Sequence, residues 1–106
     1  MINQKVTAYV EKITNYIKSK YANKICKVVV FGDSVNPDVE NPEALDIALK
    51  CIDEADNNNF EMLGDILSFM GDTVTDRDST VVAICDNVKK EYLDLIDEGV
   101  VVYGKT

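Results

Sequence analysis

Apolar residues recur at Val6, Val10, Ile13, Ile17 and Tyr21, with Lys5, Glu11, Lys12 and Lys18 between them. Steps of three and four put such residues on one side of a helix, so the pattern predicts an amphipathic helix over about residues 3–22 whose stripe covers a sheet. The period then changes. Residues 26–31, CKVVVF, are β-branched and apolar and stop at Gly32, which is the pattern of a strand buried at its centre. A polar loop with Pro37 and Pro42 follows. The stretch ALDIALKC at 44–51 predicts a second strand, because the nearby prolines and the short length weigh against a helix.

Further along, DEADNNN supplies helix-start chemistry: Asn58 with Glu61 three positions on has capping-box spacing, ahead of Phe60, Leu63, Leu67 and Met70. The pattern predicts a second helix over about 57–70, ending at Gly71. The polar segment GDTVTDRDS leads into TVVAIC, a third strand. Asp86 or Asn87 then caps a third helix carrying Val88, Tyr92, Leu95 and Ile96, and Gly99 stops it. VVVY at 100–103 closes the chain as a short strand that, at a sheet edge, would pair with a second copy. This order implies an α/β (α+β) fold, a mixed sheet of about four strands with three helices packed against it. No repeat or linker divides residues 1–106, so a single domain is expected.

Composition narrows the partners. Of 106 residues, 46% are hydrophobic, enough for one core. Nineteen acidic against eleven basic residues give a charge of -8, which opposes contact with nucleic acid or an anionic membrane. Arg77 is the only arginine, so no cluster exists to grip phosphates bidentately. The absence of histidine excludes Cys/His zinc sites and histidine bases. Cys26, Cys51 and Cys85 are odd in number and far apart, as expected of buried, reduced thiols. The start MINQKVTAYV lacks the basic and apolar regions of a signal peptide, and no apolar stretch approaches a membrane span, so a cytoplasmic protein is expected.

Candidate chemistry gathers around Gly32 and Asp46. Strand residues two apart share a face, so an Asp-x-Asp pair sets two carboxylates side by side, where they hold hard cations through oxygen. Two such metals bracket an in-line displacement at phosphorus. Here the positions twelve and fourteen residues after Gly32 hold Ala44 and Asp46.

Gly32 and Ser34, the LDIAL stretch and the ending LIDEGVVVY together resemble the minimal nucleotidyltransferases of the DNA polymerase beta superfamily. In that family a strand ends in Phe-Gly-Ser and a second strand carries Asp-Ile-Asp-Leu. The resemblance implies a Gly-Ser turn opposite nucleotide phosphates, carboxylates holding two magnesium ions, and a third acid on the next strand. It also implies a small helical HEPN protein as partner, in an antitoxin pair or a two-subunit enzyme. Against the family pattern, Ala44 replaces the first acid, Thr80, Val81 and Val82 stand where the third is expected, and Asp33 takes the serine position, displacing Ser34 by one. The loop adds Asp38, Glu40 and Glu43 where relatives carry basic and glycine residues.

Two functional expectations follow. In the first, the domain is catalytically degenerate and acts as a binding or antitoxin-type partner, of a HEPN-type helical protein or as a homodimer. In the second it is an active enzyme that uses magnesium to move a nucleoside monophosphate from ATP to a protein or small-molecule acceptor. Asp46 is then the catalytic residue and metal ligand, Gly32, Asp33 and Ser34 form the cofactor-binding turn, and Asp33, Asp38 or Asp78 serve as substitute ligands. Plainer readings stand beside these: Gly32, Asp33 and Ser34 as turn formers, Asp46 as a solvent-facing strand residue, Lys89 and Lys90 as a surface pair. A plain α/β interaction domain would lack a cleft between the loop after Gly32 and the third strand.

Overall fold

A computed structural model of the chain describes residues 1–104. The first apolar stripe folds as helix α1, Thr7–Tyr21, with Val10, Ile13 and Ile17 buried. It starts later than the spacing suggests because Asn3 draws the preceding residues into a turn. The Asn3 carbonyl accepts from the Val6 amide and the Thr7 hydroxyl at 3.1 Å each, and its side-chain oxygen accepts from the Lys5 amide at 2.9 Å.

Strands β1 (Ile25–Phe31), β2 (Ala44–Cys51), β3 (Asp78–Ala83) and β4 (Val100–Tyr103) form one mixed sheet in the order β3-β2-β1-β4. β1 is antiparallel to β2 and β4, and β2 is parallel to β3. The central pair is buried on both sides, which is why β1 reads as an unbroken valine run and not as an alternation. Val28, Val30, Leu45, Ile47 and Leu49 pack on α1 and on helix α2, Phe60–Thr73, through its Met62, Ile66 and Met70. Val29, Phe31 and Ala48 face the other way, onto Ile96 of helix α3, Lys90–Asp97. The expected α/β architecture of four strands and three helices is the one found, with helices on both faces.

Several boundaries move, each for a local reason. Asn59, not Asn58, caps α2: its side-chain oxygen accepts from the Met62 amide at 3.0 Å, while Glu54–Asn58 wind into a 3-10 turn. Gly71 does not end that helix, which runs on to Thr73. β3 begins at Asp78, two residues before the expected start, because its parallel pairing with β2 begins at Ala44. Asp86 and Asn87 lie in a turn, and α3 begins after Lys89 without a side-chain cap. At Gly99 a Cβ would meet the Val30 carbonyl at 2.6 Å, so close approach to β1 demands glycine there. The thiols differ from expectation: Cys51 is buried, Cys85 half-buried, and Cys26 exposed at a bulge in β1. β4 lies at the sheet edge. Among the described residues no helix is long and apolar enough to cross a membrane.

Candidate functional site

β1 ends at Phe31 and the chain turns through Gly32–Val35 in a 3-10 conformation, with Gly32 at φ +76°. That left-handed conformation favours glycine. Space demands glycine too, since a Cβ at position 32 would lie 2.7 Å from Oδ2 of Asp46. Asp46 sits in β2 between Phe31 on β1 and Thr80 on β3. The Thr80 hydroxyl donates to its Oδ1 at 2.5 Å. The carboxylate thus lies over the glycine turn with one oxygen held from the neighbouring strand.

A cleft of about 570 Å³ opens at this point. Gly32, Asp33, Asp46 and Thr80 form its polar end. Its other walls are apolar, from Phe31, Val82, Val88, Tyr92 and Leu95, with Lys89 at the start of α3. A cleft therefore does lie between the glycine turn and the third strand.

The candidate residues divide accordingly. Gly32, Asp33 and Asp46 come together at the cleft, and Ser34 does not. The Ser34 side chain is fully buried, and its hydroxyl donates to the Ala44 carbonyl at 3.0 Å, tying the turn to the start of β2. Asp38, Glu40 and Glu43 stay on a loop held from outside: Asn3 donates to the carbonyls of Val39 and Glu40 at 3.2 Å each, and Arg77 donates to the Pro42 carbonyl at 2.9 Å. Arg77 also grips Asp76 at 3.0–3.1 Å, which holds that carboxyl well down, to about 2. The sole arginine is thus committed to the loop. Asp78, expected in a loop, is the first residue of β3, level with Ala44. By strand alternation it shares a face with Thr80, two positions on.

Among the described residues, no three histidine, cysteine, aspartate or glutamate side chains gather closely enough to hold a metal ion. Of the described residues lining the cleft, Asp33 and Asp46 carry carboxylates, and Asp46 has one oxygen engaged by Thr80.

The chain shares its fold with a chain in the crystal structure of the toxin-antitoxin MntA-HepT. The TM-score is 0.62 at 17% identity, over 90% of this chain and 69% of that one. At that identity the likeness is one of fold. No family model matches the sequence, and no curated protein sequence matches it.

Sequence reasoning placed Val88, Tyr92 and Leu95 on the apolar stripe of a helix, without a cleft for them to line. Which of them would be exposed depends on where α3 docks on the sheet, and the spacing alone does not fix that. Ile96 is buried, whereas Tyr92 and Leu95 stay 48% and 43% exposed.

Proposed function

We propose that the chain is a nucleotidyltransferase-like domain whose catalytic set has decayed, and that it acts by binding a protein partner in the manner of an antitoxin. One observation carries this reading. Asp46 pairs across the sheet with Thr80, a hydroxyl where a third carboxylate is expected, and Ala44 holds a methyl where the first is expected. A methyl group cannot ligate a cation, and the threonine donates to the remaining acid instead of joining it. The shared fold with a toxin-antitoxin chain supports the same reading. The partner proposed is a HEPN-type helical protein, with a second copy as the alternative, and not a nucleic acid or a membrane. Three unpaired thiols fit a reducing, cytoplasmic setting.

A second reading, an active magnesium-dependent enzyme using ATP, draws on Asp78. Its place on β3 level with Ala44 puts a carboxylate beside the vacant position, two residues along from Thr80. In that reading Asp46 and Asp78 share the metal, and Gly32 and Asp33 face the phosphates.

Incubating the protein with magnesium, ATP labelled at the α-phosphate and a cell extract as acceptor source separates the two. The proposal expects no transferred label above that of Asp46→Asn. Label that disappears in both Asp46→Asn and Asp78→Asn would establish the enzyme.

A further inference from the structure

We propose that the cleft receives an arginine side chain from a protein partner, an assignment that rests on the binding-domain reading above. The first argument is the accessible carboxylate edge of half-buried Asp46. A carboxylate accepts about four hydrogen bonds, and among the described residues this one accepts a single bond, from Thr80. Its Oδ2 lies over Gly32, where no side chain stands in the way. A guanidinium brings five donors in a planar fork that matches a carboxylate edge.

Shape supplies the second argument. Beyond the carboxylate the walls are Phe31, Val82, Tyr92 and Leu95, surfaces suited to an aliphatic stem. The Tyr92 ring, half-exposed, offers a face on which a guanidinium plane stacks and an ammonium does so less well.

Charge decides among occupants. Asp33 and Asp46 stand at the polar end, and among the described residues neither lies within ion-pair distance of a basic group. A phosphate or carboxylate ligand would meet two carboxylates there. A wholly apolar partner surface would bury Asp46 with its remaining acceptor sites empty, which disfavours it. Among the described residues Lys89 is the one cation lining the cleft, and it lies within ion-pair distance of no carboxylate. It opposes a cationic guest, so its removal should tighten binding. A formal charge of -8 draws a basic partner toward the molecule from a distance.

The test is a titration of the ¹⁵N-labelled protein with butylguanidinium, followed by amide NMR. Saturable shifts are expected at Gly32, Asp33, Thr80, Val82 and Tyr92. Binding weakens about tenfold or more in Asp46→Asn, as expected for loss of a charged hydrogen-bond partner. It tightens in Lys89→Ala, and butyrate does not compete. Asp33→Asn, at an exposed turn position, gives a second weakened variant should Asp46→Asn disturb the fold. The assignment is overturned by shifts that do not saturate, by equal binding of butyrate, or by affinity unchanged in both aspartate variants. Failure of butylguanidinium to bind, with no label transferred from ATP, removes the arginine assignment alone. Label transfer removes the binding-domain reading and this assignment together.

Discussion

Gly32 and Asp46 lie fourteen residues apart in sequence, yet each fixes the other. The glycine conformation at φ +76° and the 2.7 Å from its missing Cβ to Asp46 Oδ2 both exclude a side chain at position 32. Gly32→Ala should therefore cost about 1–3 kcal/mol, the usual scale for one strained backbone position. Urea unfolding measures it, and a change within a few tenths of a kcal/mol would mean that the turn relaxes freely. The spacing of these two residues was legible in the sequence because a strand, a turn and a second strand fix it locally. The fate of Ser34 was not. Whether its hydroxyl faces the cleft or the Ala44 carbonyl depends on the 3-10 turn that follows Gly32, a choice made by packing. Asp78 was misplaced for a similar reason, since the start of β3 is set by its pairing with β2 more than thirty residues earlier.

Between elements, the seam of α1 and α2 centres on Asp65. It accepts from the Tyr21 hydroxyl at 2.5 Å, from the Tyr16 hydroxyl at 2.8 Å and from the Lys20 ammonium at 2.9 Å. Tyr16 stacks on Phe69 with ring centroids 4.0 Å apart. The Tyr21 bond first, then Lys20 and Tyr16, hold the Asp65 carboxyl below its ordinary 3.8, at about 2. A value depressed on folding contributes stability that is present above the unfolded value and is lost as pH falls through the folded one. Asp65→Asn should thus be less stable than wild type at pH 7, with the gap closing between about pH 4 and about pH 2. Asp76 titrates over the same range in both proteins and cancels from the difference. A gap that stays constant with pH would remove the charge from the account of this seam. The helices themselves were legible from their spacing. The cap of α2 was read one residue early because neighbouring asparagines offer the same chemistry, and only Asn59 has its oxygen at the Met62 amide.

For the whole molecule, the element order was readable in advance, and so was burial of the valine run. The position of α3 opposite α1 and α2 was not, because a short amphipathic helix fits either face until the sheet order is known. That placement turns Tyr92 and Leu95 toward Asp46 and makes the cleft. β4 brings four residues to the sheet edge, and the charge of -8 opposes self-association. Light scattering should give the monomer mass of 11.8 kDa, and twice that mass would assign the edge to a second copy.

The central claim is that the fold has kept a binding cleft and lost the two-metal chemistry, and calorimetric titration of ATP with and without magnesium tests it most directly. The account predicts no magnesium-dependent heat for wild type, and none for Asp46→Asn. Magnesium-dependent binding in the wild type that vanishes in Asp46→Asn would contradict it and identify a live metal site at Asp46.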